Sequence, residues 1–271
     1  MVNDKFKMYY SVCQYVPDPI RHEAMNVGIV FHVPQKQYSK FYHIRGTKRL
    51  TAFDDECNID FVKLMYKSLE SVFNMCDIDI NNDFEDISKS TFLSSRIKYY
   101  ANTFRFLDVS SIYTSSNSLR EDIEVLKKTY LYYDYKPNKR ITDAKLTSYI
   151  RRQVKLNNLN DQITVSNLKT KELVPEKVFT FQSETEFIKI MTKDYSKPNY
   201  LSDKFKIFIY NLGTVKNELG DKTLRIITDD GNDNQYDKMI YEFADEIKSL
   251  DFVNEIKLDK AQSYINRLAN K

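Results

Sequence analysis

Apolar and polar residues change rhythm several times along this chain, and the rhythm sets the first expectations. From Tyr9 to Val16 the residues are aromatic and branched, which predicts a strand, and Pro17-Asp18-Pro19 ends it because proline cannot donate to a ladder. Asn26 to Phe31 is a nearly continuous apolar run and predicts a second strand. Gln37 to Ile44 predicts a third, joined through Pro34-Gln35, so the three form a meander. Then the spacing lengthens. Phe61, Leu64, Met65, Leu69, Val72 and Phe73 recur every three or four residues, as on one face of a helix, with Asn58 or Asp60 as its cap. Leu119, Ile123, Leu126, Tyr130 and Tyr133 repeat the pattern after Asn117 or Ser118, and the segment Asp134 to Asn138 stops it.

A third helix is expected from Asp143 to about Leu156. Beyond it the pattern predicts strands at Ile163 to Leu168 and Lys177 to Phe181, then a helix at Glu184 to Met191. Further strands are expected at Phe205 to Leu212 and Leu224 to Thr228, and a last helix at Tyr236 to Leu250. The expected class is α+β: an N-terminal antiparallel meander with packed helices over residues 1–136, followed by a second mixed α+β domain over residues 137–271. The boundary is placed near Pro137, where the helix stop coincides with a change of character, and no internal repeat is visible.

Composition narrows the class. Hydrophobic residues at 42% and charged residues at 29% exclude a disordered chain, and 5 Gly with 6 Pro leave little room for a flexible linker. The first seven residues lack a signal-peptide core and no apolar run approaches spanning length, so a cytoplasmic protein without membrane contact is expected. Cys13, Cys57 and Cys76 are three well-separated thiols, which fits neither a disulfide framework nor a zinc knuckle. Abundant Lys, Asn, Ile and Tyr hint at an AT-rich bacterial or phage genome.

The net charge of +3 does not by itself imply a polyanion partner, but its distribution is uneven. Asp77, Asp79, Asp83, Glu85 and Asp86 form an acidic run without a base. Between Lys136 and Lys155 the chain carries seven cations against Asp143 alone. Within that basic run Lys139, Arg140, Arg151 and Arg152 lie near several tyrosines, the combination a nucleic-acid surface uses for backbone attraction and stacking. A solvated helix face explains the same residues.

The most distinctive segment is Tyr10-Ser11-Val12-Cys13-Gln14-Tyr15-Val16-Pro17-Asp18-Pro19-Ile20-Arg21-His22-Glu23-Ala24-Met25-Asn26-Val27-Gly28-Ile29-Val30. A strand, a Pro-Asp-Pro turn, Arg-x-Glu and then Asn-Val-Gly-Ile-Val resemble the bacterial family called domain of unknown function 3037. The likeness continues through Arg45 to Leu50 and the Asp60 to Phe73 helix, about the first quarter of the chain. Members of that family are often encoded beside HipA-like kinases or in mobile and defence regions. The resemblance therefore implies a noncatalytic accessory or regulatory factor of a mobile-element, toxin-antitoxin or antiphage defence locus. Its expected partner is a protein, a HipA-like kinase or another defence component. No catalytic residue comes with the resemblance.

Three groups of residues are candidates for chemistry. Arg21, Glu23 and Asn26 either brace the crossing between strands or converge as a polar site for a phosphate, nucleotide or partner side chain. His43, Arg45, Lys48 and Arg49 surround Gly46, where freed backbone donors suit an anion, although a solvated loop accounts for them too. The three histidines, His22, His32 and His43, match no ligand spacing, so neither a metal nor a cofactor is expected. Asp229-Asp230-Gly231-Asn232-Asp233 fails as a calcium loop because its glycine arrives too early. Glu255-x-Lys257 with Asp251 keeps a metal-dependent nuclease open as the alternative to the binding reading.

Overall fold

In the computed structural model, residues 4–18, 20, 23–74, 87–136, 139–192, 198–228, 253–257 and 264 are described. The contacts divide the chain into two units, Met1–Tyr135 and Lys136–Lys271. The fold is mixed α+β, with one sheet in each unit.

The first unit is built on β1 (Lys5–Tyr15), β2 (Met25–Val33) and β3 (Tyr38–His43), an antiparallel meander in the order β3-β2-β1. Strand β1 starts earlier than its aromatic run because Phe6, Met8 and Tyr10 alternate inward while Lys7 stays exposed. Its second edge is shared end to end. The half from Lys5 to Tyr10 pairs with β5 (Ser110–Ser115), and Cys13 to Tyr15 with β4 (Phe104–Phe106).

Helices cover both faces of this sheet. On one side α2 (Ile59–Phe73) brings Phe73 within 6.4 Å of Phe41 and 5.5 Å of Phe106, ring centre to ring centre, and α3 (Phe92–Ile97) sets Phe92 4.7 Å from His32. On the other, α4 (Leu119–Tyr130) lays Tyr130 5.7 Å from Tyr10. Burial on both faces explains why β2 reads as an almost unbroken apolar run. Gly28 in β2 is needed for close approach, since a Cβ there would lie 2.4 Å from the Phe41 ring. Asn58 caps α2 by accepting from the amides of Asp60 and Phe61, and the short helix α1 (Lys48–Phe53) precedes it.

The second unit begins with α5 (Asp143–Leu156), capped by the Thr142 hydroxyl on the Lys145 amide. Its sheet runs β10 (Val253–Lys257), β9 (Thr223–Thr228), β8 (Glu186–Ile190), β7 (Phe181–Gln182) and β6 (Thr164–Val165). Strands β8, β9 and β10 are parallel, while β6 and β7 are antiparallel to their neighbours. The link between β8 and β9 contains α6 (Pro198–Val215), the crossover that a parallel pair requires.

Two expectations are overturned here. Glu184 to Met191 is not a helix: Glu186, Phe187, Ile188 and Ile190 are all buried in a strand lying between β7 and β9. A central strand buries both faces, so its apolar residues lose the alternation that would have marked it. Phe205 to Leu212 is not a strand but the middle of α6. There Phe205, Phe208, Leu212 and Val215 face a core that includes Val178, Phe179 and Leu224, while Ile207 and Tyr210 point outward. The expected helix at Tyr236 to Leu250, the acidic run from Asp77 to Asp86, Cys76 and the Asp229 to Asp233 segment lie outside the described residues. Glu255 and Lys257 fall on β10, the strand paired with β9, and Asp251 lies outside.

Candidate functional site

Asn26 sits half-buried on β2, opposite Gln14 of β1, and the two are joined by a 3.0 Å bond from the Gln14 amide to the Asn26 side-chain oxygen. Arg105 of β4 donates to Gln14, and the Asn26 amide donates to the Tyr130 carbonyl at the end of α4. This row of hydrogen bonds crosses four elements and leaves each group with a partner. Glu23 is exposed, and Arg21 and His22 lie outside the described residues.

Around Gly46 the freed backbone donors do hold an anion, and it belongs to the chain itself. The amides of Arg45 and Gly46 both donate to the Asp134 carboxylate, at 2.7 and 3.4 Å. The side chains of Arg45, Lys48 and Arg49 are exposed, whereas His43 stacks on Tyr66 at 4.3 Å and approaches Glu70 at 3.4 Å. His32 is fully buried, bonded through Nε2 to the Ile87 carbonyl, and burial holds its pKa below the ordinary value. Burial likewise pushes the Cys13 thiol far up, which removes it as a nucleophile.

Residues 10–96 match the family model described as Protein of unknown function (DUF3037). The matched segment runs from Tyr10 in β1 to Arg96 in α3, so it takes in most of β1, the strands β2 and β3 and the helices α1, α2 and α3. No curated protein matches the chain, and no solved structure does.

The second unit carries an open cleft of about 730 Å³, a volume within the usual range for small-molecule sites. Its walls are two helix faces. Thr147, Ser148 and Arg151 line it from α5, and Tyr200, Asp203, Lys204 and Ile207 line it from α6. Arg151 follows Thr147 and Ser148 by four and three residues, and Asp203, Lys204 and Ile207 follow Tyr200 by three, four and seven, so each wall is one side of its helix. Lys189 of β8 and Phe208 of α6 lie at the base, with the Lys189 ammonium 5.3 Å above the Phe208 ring.

Asp143, the first residue of α5, is the organising group. One carboxylate oxygen accepts from both the amide and the hydroxyl of Thr192 at 2.7 Å, and the other meets the Lys204 ammonium at 2.6 Å. Lys204 also donates to the Thr192 carbonyl. Lys189 donates to the Val178 carbonyl at 2.9 Å, and desolvation lowers its pKa, with Asp143 opposing that shift and Lys204 adding to it. Arg151 and Lys177 are exposed cations on the wall and rim.

Among the residues expected to meet nucleic acid, Arg151 lines the cleft, with its guanidinium 6.0 Å over the Phe181 ring. Arg152, the next residue on α5, is half-buried, and Lys139 and Arg140 lie in the segment before that helix. Sequence reasoning missed Asp143, Lys189, Tyr200 and Lys204 as a group. The signal was present: Tyr200, Asp203, Lys204 and Ile207 fall at helical spacing, but it vanishes once the following residues are read as a strand. Among the described residues no three His, Cys, Asp or Glu side chains stand close enough to share a metal ion, and no helix is long and apolar enough to cross a membrane.

Proposed function

We propose that this protein is a noncatalytic regulatory factor of a bacterial or phage mobile-element, toxin-antitoxin or defence locus, one that binds an anionic ligand in the cleft of its second unit. The reading is carried by one observation: Arg151 and Lys177 are exposed cations lining a cleft in which Asp143, Lys189 and Lys204 are engaged, with the exposed carboxylates Asp203 and Glu176 beside them. Asp143 is held on both oxygens, and Lys189 donates to a backbone carbonyl. Groups so engaged are held in place and set the shape and charge of the site. The first unit, with its polar groups bonded across the sheet, suits a scaffold for a protein partner. The family likeness suggests a HipA-like kinase or another defence component for that role.

The test is a thermal-shift titration of the full chain with inorganic pyrophosphate at low ionic strength, since a ligand of the folded state alone raises its melting temperature. Pyrophosphate is expected to raise the melting temperature, and Arg151→Glu to abolish the rise. No rise with the unaltered chain would remove the basis of this reading.

A second reading, nucleic-acid binding, is favoured by the exposed stripe Ser148, Arg151 and Lys155 on α5. It predicts a gel shift that weakens steeply with salt and is lost in Arg151→Glu with Arg152→Glu.

A further inference from the structure

Lysine is rare on a strand that lies inside a sheet, because its ammonium must stay hydrated or find a partner. Lys189 sits on β8 between Ile188 and Ile190, both buried, and its side chain lines the base of the cleft. Its Nζ donates to the Val178 carbonyl at 2.9 Å and stands 5.3 Å above the Phe208 ring. Ile207, which is 54% exposed, lines the wall above it from α6, so the amine shares the cleft with open apolar surface.

The charged groups around Lys189 do not act in one direction. Desolvation first, and then the Lys204 ammonium of α6, lower its pKa, whereas Asp143 of α5 and the exposed carboxylate of Glu176 oppose the shift without cancelling it. Asp143 is shared with other donors: one oxygen meets Lys204 at 2.6 Å and the other accepts from Thr192. A desolvated amine near a second ammonium is the environment that turns lysine into a nucleophile, since only the neutral form carries the attacking lone pair. A neutral amine has two hydrogens, so one can remain on the Val178 carbonyl while the lone pair reacts.

We infer that Lys189 is a covalent binding site for a small aldehyde with an apolar body, held in the cleft as an imine. Nζ attacks the carbonyl carbon, a C–N bond forms, and the two amine hydrogens leave with the carbonyl oxygen as water. Uptake of one proton from solvent gives the iminium, whose single N–H can donate to the Val178 carbonyl as the amine does now. Ile207 offers contact to the apolar body. The step needs neither oxidant nor cofactor, and hydrolysis releases the aldehyde unchanged, so the site binds without turnover. It requires no anionic group and therefore goes beyond the anion reading without depending on it.

The experiment is reductive trapping on the full chain near neutral pH. Benzaldehyde, or formaldehyde as the aldehyde without an apolar body, is supplied at limiting concentration with sodium cyanoborohydride, which reduces the imine to a stable secondary amine. Peptide mass mapping then reads each lysine. Benzaldehyde is expected to label Lys189 tenfold or more above the exposed Lys155 and Lys206, and denaturing urea to erase that preference. Labelling of Lys189 should also reach its plateau at lower pH than labelling of Lys155. The site is read on the unaltered chain, so no variant has to fold. Labelling of Lys189 no stronger than that of Lys155 and Lys206 overturns the inference, as does a preference that survives in urea, which would belong to the local sequence and not to the cleft. An equal preference with formaldehyde overturns the apolar ligand class. Selective benzaldehyde labelling without any pyrophosphate-induced rise in melting temperature upholds the imine site and removes the anion reading alone. A rise without selective labelling does the reverse.

Discussion

In the first unit a row of donors runs from Arg105 through Gln14 and Asn26 to the Tyr130 carbonyl, and Asp134 closes on the amides of Arg45 and Gly46. In the second, Ser148, Arg151 and Asp203 face a cleft that Lys189, Asp143 and Lys204 brace at its base and one end. The same residue types thus do different work. Polar groups satisfied across strands rigidify a sheet and fix its register, whereas polar groups on facing helix walls remain accessible to something else. The lesson from His43 to Arg49 is that a cluster of charged residues in sequence is read together with the groups the fold sets against it, here Asp134 on the Arg45 and Gly46 amides. What matters is whether the fold has already supplied its counter-groups.

The comparison can be broken most forcefully in the cores. Phe31 is fully buried in β2 with Tyr42 at 5.8 Å, so Phe31→Ala is expected to destabilise the first unit by about 3–5 kcal/mol. Amide exchange should accelerate in β1, β2 and β3 and stay unchanged in β8 and β9, since each sheet has its own core. Equal acceleration in both sheets would show that the units unfold as one.

The braced end of the cleft provides the next contrast. Asp143→Ala leaves the amide and hydroxyl of Thr192, a buried residue, without their acceptor and is expected to cost about 1–3 kcal/mol. Asp203→Ala, on the exposed wall, should change stability by less than about 0.5 kcal/mol. Chemical denaturation of both variants measures the difference, and equal effects would mean that the bracing is not localised at Asp143.

Sequence legibility followed the same division. The meander was readable because Pro17, Pro34 and the aromatic runs mark strand ends, and α2 because its apolar period and the cap Asn58 agree; the helix expected from Asp143 to about Leu156 is α5. The short partners β4 and β5 were not, since Phe104 to Phe106 becomes a strand only by pairing with Cys13 to Tyr15. In the second unit, long-range pairing overrode local pattern. Glu186 to Ile190 is a strand because β9 lies beside it, and Phe205 to Leu212 is helical because Phe205, Phe208 and Leu212 must face one core. Reading those two segments the other way hid the wall from Tyr200 to Ile207. The cleft therefore could not be assembled from the sequence, although Arg151 had been singled out.

Titration sharpens the contrast, because desolvation lowers the pKa of a base in each unit, His32 and Lys189, and the two act in different pH windows. Burial lowers the pKa of His32, so below the ordinary value of about 6.5 the unfolded chain takes up a proton that the folded chain does not. Stability of the first unit should therefore fall as pH drops below about 6.5, down to the depressed folded value. His32→Gln is expected to flatten that slope. Lys189 is also lowered by burial, and its stability gain appears as pH rises toward the ordinary lysine value of about 10.4. Denaturant midpoints between pH 5 and 10 measure both, and a slope unchanged by His32→Gln would assign the acid response to other groups.

The smallest effects come from glycine, where one substitution should have opposite signs in the two units. Gly213 lies exposed inside α6 with nothing within 4 Å of a Cβ built on it. Alanine there restricts the unfolded chain without straining the helix, so Gly213→Ala is expected to stabilise by about 0.5–1 kcal/mol. Gly28→Ala adds the same methyl group between strands, 2.4 Å from the buried Phe41 ring and 3.1 Å from the Tyr42 carbonyl. Phe41 is packed against Phe73 and Phe106 and has nowhere to swing, so the loss of fit outweighs the entropy gain and Gly28→Ala should destabilise. Paired denaturation curves decide the matter: a stabilising Gly28→Ala would mean that β2 and β3 have room the packing does not show, and the account of the first sheet as closely packed at Gly28 would fall.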